Sequence, residues 1–139
     1  MDNYLKMQIP SLGKNESFAR SVVAAFALDC EPTVEEINDL KTAISEAVTN
    51  AVVHAYGDNT EGVIDISATI VGRSITVTVA DYGCGIENVD VAREPFYTTK
   101  QDEERSGMGF TIMETFMDEM QVVSKVGGGT TVTMKKVFK

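Results

Sequence analysis

The sequence predicts a single α+β domain, and three features of the chain indicate this fold class. Its 139 residues, 43% hydrophobic and 24% charged, suffice for one globular core but not for two. A long apolar stripe at helical spacing runs from Ile37 to Ala55. Two alternations of apolar and polar residues then flank Gly72, as in an antiparallel hairpin. We therefore take residues 1–139 as one domain that combines helices with a sheet.

Two short patterns predict the first strand and the first helix. A strand is expected where Leu5, Met7 and Ile9 alternate with polar residues before Pro10. Asn15 is then expected to cap a helix. Four residues at helical spacing form the apolar face that we expect this helix to bury: Phe18, Val22, Ala25 and Phe26.

The second helix is predicted to follow Pro32. Residues Thr33 to Glu36 have the form of a capping box, and the apolar stripe behind them continues to about Ala55. The hairpin comes next. After it, residues 88–106 are charged and exceed the ~12–15 residues usual for a structureless loop, which predicts a lid. A helix over residues 110–117 and two strands around 121–124 and 130–138 complete the chain.

Charge and targeting signals limit the classes of partner. Twelve Lys and Arg against 21 Asp and Glu give a net charge of −9, which disfavours binding to nucleic acid or to an anionic membrane and leaves a basic protein attractive. The longest apolar run, 22–28, is too short to cross a bilayer. The two cysteines form no CxxC pair, and no export leader is apparent, so we expect reduced thiols and a cytoplasmic protein.

The first candidate motif lies on the second helix. Glu46, Asn50 and His54 follow one another at intervals of four, so they share one flank of that helix. A carboxylate and an amide oxygen one turn apart suit Mg²⁺, and Glu46 is alternatively a general base. A solvated helix edge explains the same residues without any ligand. His54, the only histidine, is either a phosphoacceptor or a structural hydrogen-bonding group near the site.

The second motif, Asp81-Tyr-Gly-Cys-Gly85, directly follows a predicted strand. Gly83 and Gly85 allow a tight backbone path and the close approach of a ligand. A buried, ionised Asp81 needs a donor opposite it; the exocyclic amine of adenine is one, whereas guanine places an acceptor there. The competing interpretation is a glycine turn with a turn-forming aspartate.

The third and fourth motifs are glycine-rich. Gly107 and Gly109 lead directly into a predicted helix, whose N-terminal N–H groups and positive dipole end suit a phosphate. A helix that simply uses Ser106 as its cap explains the same residues. Gly129 is most simply part of a turn, and Thr130 then offers a hydroxyl to a bound base.

In this order the four motifs resemble the nucleotide site of the GHKL ATPase superfamily. The matching residues are Glu46 and Asn50 in its N box, Asp81, Gly83 and Gly85 in its G1 box, Gly107 and Gly109 in its G2 box, and Gly129 and Thr130 in its last glycine motif. The resemblance implies the Bergerat fold, an ATP-binding sandwich with a mixed, mostly antiparallel sheet and helices on one face. It also implies that the lid at about 88–106 covers ATP.

Four longer stretches resemble more specifically the anti-sigma F factors of endospore-forming bacteria, which are serine-protein kinases. The stretches are residues 15–20, 45–51, 96–100 and 104–114, within a resemblance that spans essentially the whole chain. It implies a homodimer that binds ATP and Mg²⁺ and sequesters the sporulation sigma factor F. It further implies that an anti-anti-sigma protein displaces the sigma factor and is phosphorylated on a serine.

The same resemblance implies a role for each matching residue. Glu46 would take the serine proton, Asn50 would bind Mg²⁺, and Asp81 would recognise adenine with help from Thr130. The glycines at 83, 85, 107 and 109 would let the backbone approach the nucleotide.

Three basic residues also receive roles from this resemblance. Lys100 and Arg105, in the lid, would neutralise the γ-phosphate, although Lys100 is equally explained as an exposed lid charge. Arg20 would contact both protein partners. By residue type alone it is an ordinary solvated arginine, which we expect to be exposed on the side of its helix away from the Phe18–Val22 face.

Other functions compatible with these motifs remain open. A stress-response anti-sigma kinase would share every residue of the ATP site. A non-catalytic, ATP-gated binding module would use Glu46 only structurally. The catalytic domain of a histidine kinase and a topoisomerase-like ATPase are disfavoured, because the sequence shows neither an acceptor-histidine helix nor a second domain.

Overall fold

The computed structural model describes residues 3–57, 60–86, 89, 93 and 109–139. Apart from residues 89 and 93, the predicted lid lies outside this part of the chain, as does Gly107. The described elements, in chain order, are β1 (Asn3–Pro10), α1 (Asn15–Ala27), α2 (Val34–Thr49), β2 (Val63–Val71), β3 (Ser74–Asp81), α3 (Gly109–Phe116), β4 (Glu119–Lys125) and β5 (Gly129–Val137). A 3₁₀ turn, Leu28–Cys30, follows α1, and a π-helical segment, Asn50–Ala55, continues α2.

The five strands form one sheet in the order β1–β2–β3–β5–β4, and all four neighbouring pairs are antiparallel. The α+β fold class is thereby confirmed. The predicted hairpin is also present, since β2 and β3 are joined by a turn in which Gly72 has a φ of +59°. Both cysteines are free, Cys30 buried and Cys84 exposed.

The core lies between one face of the sheet and the helices. Alternate residues of β2 and β3 point into it, and Leu40, Ile44 and Val48 of α2 are fully buried there. Residues of the opposite face, such as Ser67 and Thr78, are only half-buried. The alternation of polar and apolar residues therefore fixes which side of the sheet the helices cover.

Helix α1 buries a different face from the one that its large apolar residues suggest. Phe18 is 54% exposed and Ala25 is also exposed, so the predicted face is wrong for these two residues, whereas Val22 and Phe26 are half-buried. The residues that α1 buries lie one position further along: Ala19, Val23 and Ala27. Two of these are alanines, which allow α1 to pack closely against α2 where a phenylalanine would not fit.

The two predicted helix starts have different outcomes. Asn15 is the first helical residue of α1 rather than its cap, and its side-chain amide donates to the Pro10 carbonyl at 3.0 Å. The capping box of α2 is confirmed. The Thr33 hydroxyl accepts from the Glu36 N–H at 3.1 Å, and the Glu36 carboxylate accepts from the Thr33 N–H at 2.9 Å. The N–H groups of Thr33 and Lys139 both donate to the Glu36 carboxylate and lower its pKa.

Helix α3 is anchored at its C-terminal end by a lysine of the sheet. Lys136 is buried on the core face of β5, and its ammonium donates to the Phe116 carbonyl at 2.7 Å. A cation at this end of a helix also meets the negative end of the helix dipole. The contact fixes the direction of α3, whose first residue, Gly109, faces α2.

No helix in the described part of the chain is long and apolar enough to span a membrane.

Candidate functional site

The first and third sequence motifs meet where α3 begins. Glu46 and Asn50 are half-buried on the flank of α2 that faces Gly109. A Cβ at Gly109 would lie 3.1 Å from Asn50 Oδ1 and 3.3 Å from Glu46 Oε1. The carboxylate and the amide therefore converge on the N-terminus of a helix, where backbone N–H groups and the positive dipole end favour an anion.

The donor atoms at this junction fit magnesium better than a transition metal. They are hard carboxylate and amide oxygens, and Mg²⁺ binds such ligands while it keeps several waters and phosphate oxygens. Across the described residues, no group of three or more His, Cys, Asp and Glu side chains could hold a metal ion. The arrangement fits a cation that is completed by a nucleotide rather than one held in a protein cage.

The second and fourth motifs meet at the end of β3. Asp81 is only 8% exposed, and its Oδ1 accepts the N–H groups of Gly83 at 3.0 Å and Thr130 at 3.1 Å. Burial raises the pKa of Asp81, and the two N–H donors partly oppose this effect. Within the described part of the chain, no hydrogen bond reaches Oδ2. Among the described residues, Asp81 thus has one oxygen that accepts two N–H groups and a second, Oδ2, with no donor.

Ser124 belongs to this cluster although the sequence analysis did not identify it. It faces Thr130 across the β4–β5 pair, with 2.7 Å between the two hydroxyl oxygens. Its Oγ also accepts the N–H of Ile86 at 2.7 Å and donates to the Gly129 carbonyl at 3.2 Å. Thr130, which is 6% exposed, is therefore held by a serine that only the strand register brings opposite it.

The glycines of these motifs are required by close approaches within the chain itself. A Cβ at Gly83 would lie 2.3 Å from the Ala55 carbonyl oxygen. A Cβ at Gly85, which has a φ of +78°, would lie 2.1 Å from the carbonyl oxygen of Lys125. At Gly129, with a φ of +91°, it would lie 2.1 Å from the Asp81 carbonyl oxygen. Any side chain here would displace the backbone around Asp81.

The π-helical segment connects the two halves of the site. It starts at Asn50, and its last carbonyl, that of Ala55, accepts the N–H of Cys84 at 3.0 Å. The Cys84 thiol lies 3.4 Å from the carbonyl oxygen of His54, which is half-buried. Tyr56, which the sequence analysis also missed, directly follows the segment. Its hydroxyl bonds to backbone groups of Val63 and Tyr82, at the start of β2 and just after β3.

Arg20 lies beside α2 and is held in place by two hydrogen bonds. Its guanidinium donates to Glu16 Oε2 at 2.8 Å and to Ser45 Oγ at 3.3 Å, and Ser45 in turn donates to Glu16. The Arg20 side chain is 38% exposed, so it is partly solvated, as expected, and is also held by these two hydrogen bonds. Its partner Ser45 directly precedes Glu46. Lys100 and Arg105 lie outside the described residues.

Comparison with known proteins identifies the family. Residues 9–136 match the histidine kinase-like ATPase domain. A protein of Clostridium kluyveri named anti-sigma F factor is 54% identical over 137 residues, which cover 99% of this chain and 96% of that protein. A protein of the same name from Anoxybacillus flavithermus is 52% identical over 136 residues, covering 98% and 93%. This chain belongs to the anti-sigma F factors.

Solved structures show that the anti-sigma F factor fold is shared more widely. The structure of the RsbU and RsbW domains of Rv1364c from Mycobacterium tuberculosis superposes with a TM-score of 0.68 at 20% identity, over 98% of this chain and 32% of that one. The catalytic domain of the histidine kinase ThkA superposes with a TM-score of 0.61 at 14% identity, over 98% and 96%. At such identities the likeness establishes the fold alone.

Proposed function

We propose that this chain is an ATP-dependent anti-sigma factor that sequesters the sporulation sigma factor F and phosphorylates an anti-anti-sigma protein on serine. The observation that carries the proposal is the convergence of Glu46 and Asn50 on Gly109, at the start of α3. Membership of the anti-sigma F factors supports the sigma factor as partner, and the match to the histidine kinase-like ATPase domain supports ATP-dependent chemistry.

The base of the nucleotide is proposed to bind at Asp81. Its open Oδ2 would accept a hydrogen bond from the exocyclic amine of adenine, while Thr130 supplies a nearby hydroxyl. Guanine has a carbonyl oxygen at that place, so two acceptors would face each other without a proton between them. A mismatch of this kind leaves a buried polar group unpaired and rejects the wrong base strongly.

The phosphates are proposed to bind at the N-terminus of α3, where Gly109 and, by the sequence resemblance, Gly107 would let the backbone approach them. Asn50 would hold Mg²⁺, which when bound neutralises charge on the phosphates. Lys100 and Arg105 are proposed to neutralise the γ-phosphate from the lid at about 88–106. A protein of net charge −9 needs such local positive charge to hold a polyanion.

Glu46 is proposed to be the general base. The serine oxygen attacks the γ-phosphorus, the bond from that phosphorus to the β–γ bridging oxygen breaks, and ADP leaves. The serine proton passes to the Glu46 carboxylate, which lies one helical turn before Asn50. Because α2 packs firmly against α1 and α3, the base keeps a fixed position relative to the phosphate site.

Contact with the protein partners is proposed for Arg20. The Glu16–Arg20–Ser45 cluster holds its guanidinium partly exposed and close to the residue that precedes the proposed base. A homodimer in the cytoplasm, which the sequence resemblance implies, is part of the same proposal. A stress-response sigma factor is the alternative partner.

Transfer of labelled phosphate tests the function directly. The protein would be incubated with labelled ATP, Mg²⁺ and candidate anti-anti-sigma proteins, as wild type, as Glu46→Gln and as Glu35→Gln. Glu35 is exposed in the first turn of the same helix and serves as the matched control. We expect phosphoserine on the partner with wild type and with Glu35→Gln, and a loss of about 10²–10⁴-fold with Glu46→Gln, which still binds ATP.

The other outcomes separate the alternatives. If the wild type binds ATP and the sigma factor but transfers no phosphate, the chain is an ATP-gated binding module and the kinase proposal is wrong. Transfer to an anti-anti-sigma protein of the stress response, with none to the sporulation protein, would replace the proposed partners but keep the chemistry.

A further inference from the structure

The hydroxyl of Tyr56 lies between two backbone groups that belong to different strands. It donates to the carbonyl of Val63, the first residue of β2, at 2.6 Å. It also accepts the N–H of Tyr82, the residue after β3, at 2.7 Å. Both distances are those of well-formed hydrogen bonds, so one side chain joins the end of the α2 region to two neighbouring strands.

The ring of Tyr56 is held as firmly as its hydroxyl. A Cβ at Gly62 would lie 2.7 Å from three of its ring carbons, so the ring lies directly against that glycine. The backbone N–H of Tyr56 bonds to the carbonyl of Ala51, five residues earlier, at 3.2 Å. This bond closes the π-helical segment that starts at Asn50. The position of the hydroxyl is therefore fixed by packing and by the helix register together.

The bond to Tyr82 acts on the peptide that carries Asp81. That peptide contains the Asp81 carbonyl and the Tyr82 N–H, so its orientation sets the backbone from which the Asp81 side chain projects. Tyr56 holds the N–H end, and the carbonyl end lies so close to Gly129 that a Cβ there would be 2.1 Å from its oxygen. The orientation of this peptide is thus restrained at both ends: by the hydrogen bond from its N–H to Tyr56, and by packing of its carbonyl oxygen against Gly129.

We propose that Tyr56 is a positioning residue of the nucleotide site, which aims the Asp81 carboxylate at the base through the Asp81–Tyr82 peptide. This inference rests on the proposed ATP binding at Asp81. Because Asp81 would contact the base, the inference assigns to Tyr56 a role in the affinity for ATP and in the selection of the base. It assigns to Tyr56 no role in phosphoryl transfer. A tyrosine that only stabilised the fold would leave the affinity of the folded protein for ATP unchanged.

The test compares Tyr56→Phe with Tyr82→Phe. Tyr56→Phe keeps the ring against Gly62 and removes only the hydroxyl. Tyr82→Phe also removes one hydroxyl, which bonds to Asp65 on the opposite face of the sheet, and it keeps the Tyr82 N–H. Dissociation constants for ATP and GTP would be measured by titration calorimetry on protein shown to be folded by circular dichroism, together with kcat and KM for ATP.

For Tyr56→Phe we expect the dissociation constant and the KM for ATP to rise about tenfold. A change of this size corresponds to the free energy of about one hydrogen bond. GTP binding should stay within twofold, so the preference for ATP falls by the same factor, and kcat at saturating ATP should stay within twofold. Tyr82→Phe should bind both nucleotides as the wild type does. Gly62→Ala, which pushes the ring without removing the hydroxyl, should shift ATP binding in the same direction.

Two results would overturn the inference alone: ATP binding by folded Tyr56→Phe within twofold of wild type, or equal weakening of ATP and GTP. If Tyr56→Phe does not fold, wild-type ATP binding by Gly62→Ala overturns it instead. A wild-type protein that does not bind ATP overturns the proposed function, and this inference with it. The two failures are therefore distinguishable.

Discussion

The carboxylate of Asp81 accepts a hydrogen bond at 3.1 Å from the backbone N–H of Thr130, which lies 49 residues further along the chain. These residues form the end of the β3–β5 pair, where Asp81 faces Thr130. The contact joins two motifs that are unrelated in sequence, and it leaves a buried acid at the end of β3, the central strand of the sheet. Ionising a buried acid destabilises the folded state, and this effect can be measured as a change in the free energy of unfolding.

We predict that Asp81→Asn makes the folded protein more stable at neutral pH. Because burial raises the pKa of Asp81, the folded state binds the proton more tightly than the unfolded chain does. Protonated Asp81 therefore stabilises the folded state. This contribution to the free energy of unfolding is fully present below the ordinary aspartate pKa, and it is lost as the pH rises through the raised pKa of the folded state. The free energy of unfolding of wild type, measured in urea across this range, should therefore fall relative to that of Asp81→Asn.

Asp65→Asn is the control, because the pKa of Asp65 is shifted in the opposite direction and its effect on stability has the opposite dependence on pH. Hydrogen bonds from Tyr82 and Gln8 lower the pKa of Asp65, so its contribution is present above the ordinary value and lost as the pH falls. Equal pH slopes for wild type and Asp81→Asn would contradict the prediction. At neutral pH the Asp81→Asn protein should also bind ATP roughly 10- to 100-fold more weakly, because a hydrogen bond to a charged acceptor is lost.

The second prediction concerns Gly109→Ala. The added methyl would lie 3.1 Å from Asn50 Oδ1 and 3.3 Å from Glu46 Oε1, which is tighter than ordinary van der Waals contact. We expect the fold to survive with both side chains displaced, and phosphotransfer to fall at least about tenfold, since catalytic geometry tolerates little displacement. Gly13→Ala, where nothing lies within 4 Å of the new atom, is the control, and its phosphotransfer rate should match wild type.

The third prediction is that Ser124→Ala destabilises the protein by about 1–3 kcal/mol. The change leaves the N–H of Ile86 without its acceptor and removes the partner of the Thr130 hydroxyl. Ser74→Ala is the control, because Ser74 also lies in a strand but makes a single exposed bond, to the Val71 carbonyl. Urea unfolding of both variants measures the difference. A cost for Ser124→Ala no larger than that for Ser74→Ala would show that the network does not support the site.

The fourth prediction separates the partner surface from the ATP site. Arg20→Ala should weaken binding of the sigma factor and of the anti-anti-sigma protein by at least about tenfold, because an interface arginine is often a hot spot. Its ATP affinity should not change. The partly exposed Arg20–Glu16 pair should contribute only about 0–1 kcal/mol to folding. Lys14→Ala, a change to an exposed cation at the start of α1, should bind both proteins normally. Equal loss in the two variants would argue for a general charge effect.

The sequence predicted the elements of the fold well because its patterns are local. The alternation around Gly72 predicts the hairpin, and the capping box at Thr33 places the start of α2 correctly. The buried face of α1 was predicted only in part, since apolar size favours Phe18 whereas the contact with α2 requires small residues such as Ala19. Which face of a helix is buried depends on its neighbour, and a neighbour's shape is not encoded in the helix itself.

For the site, the residue types and their spacing were enough to predict the chemistry: a carboxylate and an amide one helical turn apart, an aspartate at the end of a strand, and three glycine-containing motifs. What these groups contact depends on the fold. The register of β4 against β5 places Ser124 beside Thr130, and the π-helical turn after Asn50 places Tyr56 against the Asp81–Tyr82 peptide. The first contact depends on the register of a strand pair, and the second joins residues 26 positions apart, so both arise from strand pairing and packing rather than from local sequence.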